Sequence, residues 1–133
     1  MSEKILVVED SGDAREFLQT LLEHEGFSVT LATDGVEGVE KAAKEDPDLI
    51  ISDLNMPRMD GLQMIKRLRA LPKYKDVPIL AITSHGIELA MNGIRAGADR
   101  VLTRPVGNHL LISFVSDLLN KTRPLAHQIK PAR

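Results

Sequence analysis

The chain has 133 residues, 43% of them hydrophobic and 27% charged, which fits one globular domain with a real core. Its net charge of −2 leaves no electrostatic footprint for direct nucleic-acid binding, and the absence of cysteine excludes a disulfide framework and thiolate chemistry. No apolar run approaches the ~18 residues that span a bilayer, and Met1-Ser2-Glu3-Lys4 enters a strand pattern with no signal-peptide core, so a cytoplasmic location is expected.

Ile5-Leu6-Val7-Val8 is short, apolar and β-branched, and reads as a buried strand ending in Glu9-Asp10. Ala14, Phe17, Leu18, Leu21 and Leu22 recur at helical spacing, with Ser11 or Asp13 as the cap and Gly26 at the end. Phe27 to Ala32 is a second strand. Asp34-Gly35 opens a second helix carrying Val36, Val39, Ala42 and Ala43, which Asp46-Pro47-Asp48 ends. Leu49-Ile50-Ile51 is a third strand, holding Asp53 at its C-terminal end.

Asp60-Gly61 starts a third helix with Leu62, Met64, Ile65, Leu68 and Leu71 as apolar positions, stopped by Pro72. Lys73 to Val77 reads as a polar loop. Pro78 to Thr83 is a fourth strand, and Ile87 to Ala96 a fourth helix with a weak apolar pattern that includes Gly93. Arg100 to Thr103 is a short fifth strand. Leu110, Leu111, Phe114, Val115, Leu118 and Leu119 give a fifth helix reaching Lys121. Thr122 to Arg133 has two prolines and little apolar content, and reads as a disordered tail, a linker stub or a docking peptide.

Five βα units imply a parallel sheet with helices on both faces, and right-handed crossovers favour the flavodoxin-like strand order 2-1-3-4-5. Strands one and three are then neighbours, so Glu9, Asp10 and Asp53 meet at their C-terminal ends. Three carboxylates there repel unless a cation or a proton neutralises them, and hard oxygen donors suit Mg²⁺. A strand-end carboxylate beside Mg²⁺ can attack phosphorus to give an aspartyl phosphate. Thr83 and Arg104, at the ends of strands four and five, offer the hydroxyl and cation that the developing charge needs.

Taken singly, each of these residues has a structural reading. Glu9 and Asp10 suit a helix N-terminus, Asp53 a turn, Thr83 a cap, and Arg104 a surface charge. Their placement at four successive strand ends favours the joint reading. Glu9-Asp10-Ser11-Gly12 is acidic with one glycine, which argues against nucleotide and dinucleotide phosphate loops, and aromatics at 3% argue against flavin stacking. His24, His85, His109 and His127 have no metal-ligand spacing.

Ile5 to Asp10, Ile51 to Pro57, Met59-Asp60-Gly61, Ile82-Thr83-Ser84, Gly97-Ala98-Asp99 and Arg104-Pro105 together resemble the receiver domain of two-component response regulators. The resemblance covers residues 4–121, within a domain taken as 1–121. It implies a flavodoxin-like (βα)5 signalling domain, not a conventional enzyme. Such a domain takes a phosphoryl group from a sensor histidine kinase or histidine phosphotransfer protein onto Asp53, using Mg²⁺. By resemblance, Asp10, Asp53 and the Asn55 backbone carbonyl bind the metal directly and Glu9 through water, while Thr83 bonds the phosphoryl oxygen.

Two departures stand out. Arg104 replaces the family's lysine, and a planar fork is not equivalent to a point charge at a phosphate contact. Val101 replaces the usual Tyr or Phe and is too short and stiff to swing inward; Val106 likewise replaces a common Phe. The expected output is partner docking or a homodimer through helix four, strand five and helix five, with Asn92, Arg95, Asp99 and Arg100 as candidate surface residues. The alternative is a phosphorylation-independent binding module in which Arg104 closes the acidic pocket. A hydrolase or mutase would need a second general acid and a substrate cap, and neither is evident.

Overall fold

The computed structural model describes residues 2–56, 59–84 and 86–122. Five strands, β1 (Lys4–Val8), β2 (Ser28–Ala32), β3 (Leu49–Asp53), β4 (Ile79–Thr83) and β5 (Arg100–Thr103), form one parallel sheet in the order β2-β1-β3-β4-β5. Five helices alternate with them: α1 (Gly12–His24), α2 (Gly35–Glu45), α3 (Gly61–Arg69), α4 (Gly86–Ala96) and α5 (Asn108–Thr122). The flavodoxin-like order expected from the sequence is the one observed.

Strand alternation divides the core in two. Leu6, Val8, Ile50, Ile79 and Ala81 face one side and pack with Ala42 of α2, Met64, Ile65 and Leu68 of α3, and Ala96 of α4. Ile5, Val7, Leu49, Ile51, Leu80 and Ile82 face the other and pack with Leu18 and Leu22 of α1 and Leu111, Val115, Leu118 and Leu119 of α5. The central strands β3 and β4 are buried along their whole length, which explains why they read as unbroken apolar runs.

Caps set where the helices begin, and so where the strand-end loops lie. Ser11, not Asp13, caps α1 by accepting from the Ala14 N–H at 3.3 Å, and Gly26 follows its end with φ +94°. Asp34 caps α2 through the Glu37 N–H. Asp60 and Gln63 form a reciprocal capping box on α3.

Several expectations need correction. The second strand starts at Ser28 and the fourth helix at Gly86. The third helix ends at Arg69, before Leu71, which is 43% exposed. Pro72–Tyr74 is a turn of 3₁₀ helix rather than polar loop, and Tyr74 joins the core, because proline at its first position presets the turn. Phe17 and Leu110, assigned to core faces, are 54% and 50% exposed. Residues 123–133 and His85 lie outside the described residues.

Candidate functional site

The C-terminal ends of β1 and β3 are adjacent, and the loops leaving them carry the acids. Glu9 is buried, Asp53 is at the edge of burial, and Asp10 is exposed. Their carboxylate oxygens lie within 4.8 Å of one another. The sequence expectation that these three meet is thus realised, and Thr83, fully buried, ends the next strand.

The Glu9 and Asp53 carboxylates each accept from a backbone N–H two residues further along the same loop. The Glu9 N–H donates to the Ala32 carbonyl at 3.0 Å, fixing the loop to β2. Its Oε2 accepts from the Ser11 N–H at 3.1 Å. The Asp53 Oδ1 accepts from the Asn55 N–H at 3.2 Å, and the Ser52 hydroxyl donates to the Asp53 carbonyl at 2.8 Å. Asn55 itself is exposed beside the acids, and Ser84 is exposed after Thr83.

Arg104 reaches into this cluster. Its backbone N–H donates to the Thr83 carbonyl at 2.9 Å, tying the loop after β5 to the end of β4. One guanidinium nitrogen, Nη2, meets Glu9 Oε1 at 2.5 Å, and Nη1 stands 3.9 Å from Asp53 Oδ2. A planar group can address two acids at once in this way. Burial holds the Glu9 carboxyl above its ordinary value; the Ser11 N–H opposes this, the Asp53 charge adds to it, and Arg104 draws it back down.

Arg15 is a second cation that the sequence reading missed. Its Nη1 donates to the Glu9 carbonyl at 2.7 Å and the Asp10 carbonyl at 3.0 Å, bracing the loop that presents both acids. Its position one turn into α1 places it over that loop, but charge at that spacing is common on helices and gave no separate signal.

The donor set fits a hard divalent cation. Three carboxylates converge from two rigid strand ends, and among the described residues no histidine or sulfur ligand joins them. Arg104 competes for one of them, since it already holds an oxygen of Glu9.

Residues 5–116 match the response regulator receiver domain family. The chain belongs to this family, the receiver domains of two-component signalling, which take phosphoryl groups from histidine kinases and bind Mg²⁺ in their acidic site. Response regulator MprA of Mycobacterium leprae is 38% identical over 122 residues, which are 91% of this chain and 53% of that protein. The chain spans about half the length of the curated relatives it matches. The chemotaxis response regulator CheY4 of Vibrio cholerae has a similar structure, with a TM-score of 0.83 and 34% identity over 89% of this chain and 99% of that one. The receiver domain of the sensor histidine kinase PA1611 from Pseudomonas aeruginosa scores 0.84 at 28% identity, covering 90% of this chain and 98% of that one. That structure has a magnesium ion coordinated in its active-site cleft. Among the described residues no helix is long and apolar enough to cross a membrane.

Proposed function

We propose that Asp53 accepts a phosphoryl group from a phosphohistidine on a sensor histidine kinase or histidine phosphotransfer protein. The observation that carries this reading is the meeting of Glu9, Asp10 and Asp53, with Thr83 and Arg104 at the two neighbouring strand ends. An Asp53 carboxylate oxygen attacks phosphorus, the N–P bond breaks, and its electron pair stays on the donor imidazole. The Asn55 N–H holds one Asp53 oxygen and orients the carboxylate. Arg104 lies near enough to Asp53 to meet the growing charge on the phosphoryl oxygens, and Thr83 bonds one of them. Asp10, Asp53 and the Asn55 carbonyl would hold Mg²⁺, with Glu9 acting through water; when bound, the ion screens the acceptor carboxylate from the phosphoryl oxygens.

The readout is docking of a protein partner or a second copy on the face of α4, β5 and α5, within residues 1–121. Ile87, Met91 and Ile94 form an exposed apolar stripe on α4, which supports that face. Of the polar candidates, Asp99 is already engaged by Arg69 at 2.9 Å and by the Ile79 N–H at 2.8 Å, so it braces the fold more than it offers a contact. Arg95 bonds Asn92 at 3.1 Å, and the Arg100 guanidinium lies 4.9 Å from the Phe114 ring centroid. The chain acts in the cytoplasm in this reading.

Borohydride reduction after treatment with acetyl phosphate and Mg²⁺ tests the acceptor. Reductive trapping should convert Asp53, found by peptide mapping; conversion at another acid would overturn the assignment.

One observation favours a second reading. The Arg104–Glu9 pair, with Asp53 close by, is the arrangement in which an internal cation stands where a metal would act. The chain would then be a constitutive docking module. Mg²⁺ titration followed by NMR separates the two, since amides around Asp10 shift only if the metal enters.

A further inference from the structure

Leu54 follows Asp53 directly and is 1% exposed. Two helices approach this pair of residues at positions that have no side chain. A Cβ on Gly61, the first residue of α3, would overlap the Asp53 carbonyl oxygen and lie 2.8 Å from Leu54 Cα. A Cβ on Gly93 of α4 would lie 2.9 Å from Leu54 Cδ1 and 3.1 Å from Val101 Cγ2. The Leu54 backbone is fixed as well: its N–H donates to the Ile82 carbonyl at 3.1 Å, and its carbonyl accepts from the Gly61 N–H at 3.2 Å. Of Leu54 itself, the side chain is the part left to repack when Asp53 changes, and it presses on α4 at Gly93.

Val101 closes the other side of that contact and is stiff at χ1, so it does not swing out of the way. Leu89, Gly93 and Ala96 lie on the inner side of α4, while Ile87, Met91 and Ile94, at 78%, 49% and 50% exposure, lie opposite by helical spacing. A close-packed contact of this kind has few intermediate arrangements, so a small shift beneath α4 is passed to its outer stripe.

We propose that Leu54, packed against Gly93, is the positioning residue through which the state of Asp53 reaches α4 and its exposed stripe. This rests on the phospho-accepting reading above. Adding a phosphoryl group changes the charge and size beside Leu54; the side chain repacks against the bare backbone at Gly93, and α4 moves with it.

Hydrogen exchange of the Gly86–Ala96 amides, before and after acetyl phosphate with Mg²⁺, tests this, with intact mass recorded on the same samples. In the parent, labelling should change α4 exchange by about fivefold or more. Leu54→Ala should take the label as the parent does and show a response below about twofold. Gly93→Ala should shift α4 exchange by about fivefold with no label present, and adding Leu54→Ala should return it toward the parent. A labelled Leu54→Ala whose α4 responds like the parent overturns the proposal, as does a labelled parent with unchanged α4. If Leu54→Ala fails to fold, the Gly93→Ala arm decides: exchange equal to that of the unlabelled parent overturns the proposal. A parent that takes no label overturns the phospho-accepting reading and the coupling with it, so the two failures are told apart.

Discussion

Arg104 meets the acidic pocket with two nitrogens of one planar group, one on Glu9 and one toward Asp53. Its side chain is about a third exposed, while that of Glu9 is 3% exposed, so the pair sits at the mouth of the pocket with its acid inside. A hydrogen bond to a charged group contributes roughly 1.5–3 kcal/mol, and a metal entering the pocket has to displace it or work around it. Lysine carries the same charge without the fork. Arg104→Lys should therefore tighten Mg²⁺ binding by about tenfold, or roughly 1.4 kcal/mol, in a calorimetric titration; unchanged affinity would show that Arg104 does not compete for the site. Arg69 shows how much a single side chain can hold elsewhere. Its guanidinium donates to the carbonyls of Tyr74 and Val77 at 2.7 Å each and of Gly97 at 3.0 Å, and pairs with Asp99 at 2.9 Å. It joins the end of α3, the 3₁₀ turn and the turn before β5. Arg69→Ala leaves several acceptors without a donor and should cost about 2–3 kcal/mol in urea unfolding, where a loss within experimental error would show that water replaces it freely.

At the scale of elements, helix starts are where local chemistry is most legible. Ser11, Asp34 and Asp60 all cap the helix that the sequence placed after them. At α2, Glu37 reaches back to the Thr33 N–H at 2.6 Å and its hydroxyl at 2.9 Å. Those bonds, the backbone one first, hold the Glu37 carboxyl below its ordinary value of 4.5. A lowered folded-state value means stability that is present above 4.5 and is lost as pH falls through the folded value. Thermal unfolding should find Glu37→Gln less stable than the parent at neutral pH, with the gap closing below 4.5; a gap independent of pH would contradict the assignment. Other element boundaries were hidden because they depend on distant partners. Tyr74 reads as loop in the sequence because Lys73, Lys75 and Asp76 surround it, yet its ring is buried in the core. Phe17 and Leu110 keep helical spacing but sit at the margin of the α1 and α5 faces, where periodicity alone does not separate buried from exposed.

At the scale of the whole molecule, the alternating βα order and the unbroken runs at β3 and β4 narrow the topology to a few orders, of which the observed one is the flavodoxin-like order, because parallel strands need crossovers and crossovers have one hand. That topology alone brings Glu9, Asp10 and Asp53 together from positions far apart in the chain. The meeting of the acids is therefore legible in the sequence. For the cations the sequence goes less far: it places Arg104 at the acidic pocket, but its grip on Glu9, that of Arg15 on the loop carbonyls and that of Arg69 across three elements depend on how long side chains settle, and sequence spacing does not record that. The same applies to the close approach of α4 at Gly93, which the sequence shows only as a glycine inside a helix.

Intact mass after incubation with acetyl phosphate and Mg²⁺, with Asp53→Asn and Arg104→Lys alongside, decides whether Asp53 is the phosphoryl acceptor. One added phosphoryl group is expected on the parent and on Arg104→Lys, with none on Asp53→Asn. No addition to the parent, but one on Arg104→Lys, would contradict this expectation and mean that Arg104 keeps the acidic pocket closed.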